Sequence, residues 1–156
     1  MNSLSRWAAA LCCSLGLVAT TAAAADTAPR IVRAEFGIFD ARPGAPPDFR
    51  TTTVVPFGVD QGYGWFITLV GAPARVNVRE ELTLPAAPAT WGDPEPGLKR
   101  RVSADGRTAT TERTLDVQGG RIGQAWAVAP GDPRGAYLLK VTVEGLPAQT
   151  FRFELR

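Results

Sequence analysis

The stretch GDPRGAYLLKVTVEGLPAQTFRFELR, Gly131–Arg156, decides the fold. Tyr137, Leu139, Val141 and Val143 alternate with Lys140, Thr142 and Glu144. Phe151, Phe153 and Leu155 then alternate with Arg152 and Glu154. A period of two places one apolar and one polar row on opposite faces of an extended chain, the pattern of a half-buried strand. GLPAQ between the two runs is a tight connection, so the pair predicts an antiparallel hairpin. Asp132-Pro133 and Gly135 predict a turn ahead of it.

The same grammar extends upstream. Ile31 to Phe39 sets Val32, Ala34, Phe36 and Ile38 on one face against Arg33 and Glu35. The Pro-rich DARPGAPPDF reads as a loop, since proline is excluded from a central strand. Arg50 to Pro56 is β-branched and predicts a strand. Tyr63 to Val70 is apolar on both faces and is the expected central strand. Val76, Val78, Leu82 and Leu84 alternate inward, and PAAPATWGDPEPG, Pro85–Gly97, is the longest irregular piece. LKRRVSADGRTATTERTLDV predicts a polar edge hairpin turning at Asp105-Gly106. Ile122, Trp126 and Val128 complete the apolar set. No helix-period segment appears after residue 26. The expectation is a single all-β domain, an immunoglobulin-like or fibronectin-like antiparallel β-sandwich of about 7–8 strands.

The N-terminal segment has a different character. Arg6 precedes an apolar run from Trp7 to about Ala19, and Ala23 and Ala25 stand at A-x-A spacing before Asp26. That order predicts a secretory signal peptide over 1–25, with the sandwich over 26–156 and a periplasmic or extracellular destination. The run is too short for a membrane span, which needs ~20 apolar residues. A lipoprotein would need small residues before Cys12 or Cys13, and Leu11 stands there. Of the 17 basic residues only Arg6 precedes Asp26, which leaves 16 against 15 acidic ones. This balance argues against nucleic acid as a partner.

Three groups of motifs carry a resemblance. FGIF at 36–39, TTTVVPFGVDQGYGWF at 51–66 and the Trp126, Val128, Pro130-Gly131 series make Ile31–Arg156 similar to an exported bacterial family known only as a domain of unknown function. The resemblance implies a compact immunoglobulin-like sandwich in the cell envelope and transfers no catalytic residue. The acid, small residue and Tyr137 at the last strand pair also resemble a tyrosine corner, in which the hydroxyl bonds backbone upstream.

Residues after 26 include no His, no Cys and one Ser, Ser103, so Ser-His-Asp and Cys-His nucleophiles have no parts to draw on. The usual zinc ligands are missing too, and no cofactor is implied. Carboxylates remain. Glu80 falls on the apolar face between Val78 and Leu82, where burial would raise its pKa and make it a candidate general acid. A β-bulge at Glu80-Glu81, or a face open to water, would remove that significance. Trp91, Asp93 and Glu95 in the long loop could contact a glycan or peptide, with Trp91 alternatively folded back as a lid on the core. Lys99, Arg100 and Arg101, with Arg107, form a basic cluster that could meet anionic polymers or simply protect a sheet edge. The residues favour an exported, non-catalytic module that binds another envelope protein or polymer through its loops, Asp40–Arg50 and Pro85–Gly97. The alternative is a carboxylate-dependent hydrolase acting on an envelope glycan, which needs a second acid facing Glu80.

Overall fold

A computed structural model describes residues 28–42, 44–95 and 98–156. The expected signal peptide lies outside the described residues. Among the described residues ten strands form two sheets: β1 (Arg30–Arg42), β2 (Ala45–Thr51), β3 (Val54–Val55), β4 (Gly62–Val70), β5 (Arg75–Thr83), β6 (Lys99–Val102), β7 (Thr108–Asp116), β8 (Arg121–Ala127), β9 (Gly135–Val143) and β10 (Gln149–Leu155). One sheet runs β2-β1-β4-β8 and the other β3-β10-β9-β5-β7-β6. Among the described residues no helix is long and apolar enough to cross a membrane.

The all-β sandwich expected from the alternation is what forms, with more strands than the expected 7–8. Two come from one misread region. DARPGAPPDF is not a loop: β2 pairs antiparallel with β1 through Phe39 opposite Phe49 and Asp40 opposite Asp48. It is an edge strand, where missing proline donors are tolerated. The single strand expected over Arg50–Pro56 is divided. Arg50 and Thr51 end β2, and after Thr53 the chain crosses to the other sheet as β3, lying parallel to β10. Backbone bonds clasp that crossing: Arg156 N–H donates to Val55 O at 3.1 Å, and Phe57 N–H to Arg156 O at 2.7 Å.

β4 occupies the interior of its sheet, as its two apolar faces predict. Tyr63, Trp65, Ile67 and Leu69 enter the core. On the outer face Phe66 meets the rings of Phe39 and Phe49, with centroids 5.9 and 4.9 Å away, and the Arg121 guanidinium lies 3.7 Å above it. Gly64 permits close strand approach here, because a Cβ would fall on the backbone of Gln124 in β8. The inner row of the other sheet supplies Val76, Val78, Leu139, Val141, Val143, Phe153 and Leu155. Val32 breaks its expected pattern. The register shifts between Ile31 and Arg33, which turns Val32 outward at 46 % exposure. The bulge returns Ala34, Phe36 and Ile38 to the inward phase.

The β6–β7 hairpin forms the expected edge and turns at Asp105-Gly106, with Gly106 at φ 70°. The Ser103 hydroxyl and the Arg107 amide both donate to Asp105 Oδ1, and these bonds hold the Asp105 carboxyl below its ordinary value. The turn before β9 closes as expected: the Tyr137 hydroxyl donates to Pro133 O at 2.7 Å.

Candidate functional site

Inward alternation along β5 brings Glu80 into the core directly after Val76 and Val78. No bulge relieves it: Glu80 pairs in continuous register with Thr111 on β7 and Val141 on β9. The face does not open to water there either, since Glu80 is 2 % exposed. Both bland explanations offered by the sequence are therefore set aside. What makes the burial tolerable is a set of donors on both carboxylate oxygens. Trp65 Nε1–H, from the facing sheet, donates to Oε1 at 2.7 Å. The Thr111 hydroxyl donates to Oε2 at 3.2 Å. Arg113 Nε faces Oε2 at 3.4 Å, an ion-pair distance lacking hydrogen-bond alignment. Burial pushes the Glu80 carboxyl above the ordinary glutamate value, and the Arg113 charge and the Trp65 and Thr111 bonds offset this only in part.

Register also dictates where the other charges go. Arg113 lies opposite Val78 and therefore points inward, where its Nη1 donates to Gln124 Oε1 of β8 at 2.7 Å. Arg100 lies opposite Thr111 and shares its inner face, whereas Lys99 and Arg101 fall on the outer face. The basic cluster is thus split by the pleat. Arg100 Nη1 donates to the carbonyls of Trp91 and Gly92, at 2.6 and 3.0 Å, and ties the 85–95 segment across the open side of the sandwich. Arg107 Nε donates to Leu84 O at 3.2 Å at the root of that segment. Trp91 is half-buried against the core and donates its indole N–H to Gly106 O at 2.9 Å. It acts as the lid foreseen for it. Asp93 and Glu95 are exposed, and Glu95 Oε2 reaches within 3.9 Å of Arg113 Nη1.

Beneath this strap is a cavity of about 250 Å³. Its walls include Tyr63, Trp91, Trp126 and Tyr137, and Glu80 and Arg113 contribute to the lining. Asp132 is the other acid in the lining; its Oδ2 accepts from Ala129 N–H at 2.8 Å. Tyr63 is 6 % exposed, and its hydroxyl bonds nothing among the described residues. Burial, then the nearby Asp132 charge, raises its pKa well above the usual tyrosine range. Sequence reasoning found Glu80 and Trp91 but not Tyr63, Arg113, Trp126 or Asp132 as a group. Tyr63 and Trp126 looked like ordinary core residues, and only the register brings them to one opening. Nothing in the arrangement favours the hydrolase alternative, because both Glu80 oxygens are engaged by protein donors or by Arg113.

A family model described as the PM0630 beta sandwich domain matches residues 34–156. The chain belongs to this PM0630 beta sandwich family. A solved structure, an immunoglobulin-like protein from Pseudomonas aeruginosa, superposes with a TM-score of 0.54 at 18 % identity, covering 85 % of this chain and 99 % of that one. That likeness concerns the fold, and it agrees with the PM0630 assignment. No curated protein matches the chain. The PM0630 match begins at Ala34, two residues after the Val32 bulge, and includes every residue of the strap and cavity.

Proposed function

We propose that this PM0630 sandwich is an exported, non-catalytic binding module whose working surface is the cavity under the 85–95 strap. The observation that carries this is the aromatic-walled opening under the strap that Arg100 ties down, floored by the Arg113–Glu80 ion pair. Concave, mostly apolar sites with a few placed polar groups are the usual form of a ligand site. The composition supports the same view, since the usual nucleophile systems cannot be assembled from the residues after 26. The partner is an envelope protein or polymer, and the strap, not the β1–β2 hairpin, is the segment that meets it.

The test is photo-crosslinking in cells from Ala86 and Asp93 on the strap, with Thr150 on the far side as control. One recurrent envelope component, captured from the strap positions alone and lost when Thr90→Trp fills the mouth, is the expected result. Identical products from Thr150, or products indifferent to Thr90→Trp, would overturn the proposal.

A further inference from the structure

The cavity has a charge pattern that selects among occupants. Its two cations are already committed. Arg113 is turned onto Glu80 and Gln124, and Arg100 is bound to two strap carbonyls. Its anions are not. Asp132 uses one oxygen on the Ala129 amide, and its other oxygen has no hydrogen-bond partner among the described residues. Asp93 stands exposed on the strap just beyond Gly92, which lines the opening, and Glu95 follows it at 3.9 Å from Arg113 Nη1. The Tyr63 hydroxyl has no hydrogen-bond partner among the described residues and can accept a hydrogen bond, and its ring packs against Trp126 with centroids 5.7 Å apart. Aromatic rings beside a free carboxylate are the surroundings that stabilise an organic cation.

The strand order adds a second constraint. β8 is the outermost strand of its sheet, with β4 on one side and no strand on the other among the described residues. An extended segment added to that edge would place alternate side chains on the inner face, beside Gln124 and Trp126, and so into the cavity.

Building on the proposed binding role, we infer that the cavity is a lysine-side-chain pocket, filled by an extended polypeptide that pairs with β8. The ammonium meets the Asp132 carboxylate and the Tyr63 hydroxyl, and the alkyl stem lies along the aromatic walls.

The inference is tested by NMR titration of the purified protein, reading the Trp126 indole N–H. The probes are n-butylammonium, n-butanol, and a capped heptapeptide of threonine and valine with one central lysine. Butylammonium is expected to saturate the shift and to bind about tenfold more tightly than butanol. Asp132→Asn keeps an acceptor for the Ala129 amide and is expected to weaken butylammonium by about fivefold. Tyr63→Phe, which removes an unpartnered hydroxyl, is expected to weaken it about threefold. The lysine peptide is expected to bind at least about tenfold more tightly than butylammonium, with slowed exchange of the β8 amides. Equal binding of butanol and butylammonium would overturn the selection for a cation while leaving the binding role intact. A peptide no tighter than the free amine would overturn pairing with β8. Loss of strap crosslinks with amine binding retained would instead count against the proposed function alone.

Discussion

Trp65 and Glu80 join the two sheets through a hydrogen bond of 2.7 Å at the centre of the core. Trp65 is fully buried on β4 and Glu80 nearly so on β5. The bond occupies the middle of the sandwich in a protein whose residues after 26 include no cysteine. Trp65→Phe removes the donor and part of the ring volume, and is expected to cost about 3 kcal/mol. Glu80→Ala strands the Arg113 charge as well, with an expected cost of about 3–5 kcal/mol. Urea midpoints at neutral pH measure both. A cost for Trp65→Phe below about 1 kcal/mol would show that the bond and the packing around it are replaceable.

The raised Glu80 pKa predicts how stability follows pH. The folded state holds the Glu80 proton more tightly than the unfolded chain does, so its contribution is fully present below the ordinary glutamate value. It is lost as pH rises through the higher folded value. Relative to Glu80→Gln, the wild-type protein should lose stability between roughly pH 4.3 and its folded Glu80 pKa, then run parallel above it. Paired urea titrations across this range check it, and a wild-type curve that rises against the variant would reverse the sign.

Tyr63 and Tyr137 make a contrasting pair. The Tyr137 hydroxyl closes the turn onto Pro133 O, whereas the Tyr63 hydroxyl has no hydrogen-bond partner among the described residues. Tyr137→Phe should cost about 1 kcal/mol or more, because a carbonyl loses its donor. Tyr63→Phe should leave the melting temperature unchanged or raise it. Thermal unfolding of the two variants side by side decides the matter, and equal losses would contradict the assignment.

Val32 and Ile38 test the bulge in β1. Both fall on the nominal apolar face of the sequence, yet Val32 is turned out and Ile38 is buried. Val32→Thr is expected to change stability by less than about 0.5 kcal/mol, whereas Ile38→Thr should cost about 3 kcal/mol. A large loss from Val32→Thr would mean that β1 keeps one unbroken phase.

The sequence displayed the sandwich wherever alternation was strict, as at Tyr137–Val143, and wherever a turn dipeptide was strong, as at Asp105-Gly106. It hid β2 because proline signals a loop except at a sheet edge, and edge status depends on which strands pair. It hid the division of Arg50–Pro56 because a change of sheet leaves the local pattern of β-branched residues intact. Glu80 was visible as an anomaly, but its burial depends on Trp65, Thr111 and Arg113, which lie 15 to 33 positions away in the chain. The basic run at 99–101 looked like one patch and became two faces once pleated. Pairing between distant strands, not composition, settles each of these points.

The parallel contact between β3 and β10 also sets an order of events. Among the described residues Val54 and Val55 find their only strand neighbour in β10, and Arg156 closes the bonds on either side of Pro56. A chain delivered from its N-terminal end therefore cannot pair β3 until β10 has followed it. β1, β2 and β4 can pair first, but the ladder joining the two halves waits about a hundred residues for its partner. The sandwich is therefore completed late, and loss of Glu154 to Arg156 would leave β3 without its strand neighbour while β1, β2 and β4 keep theirs.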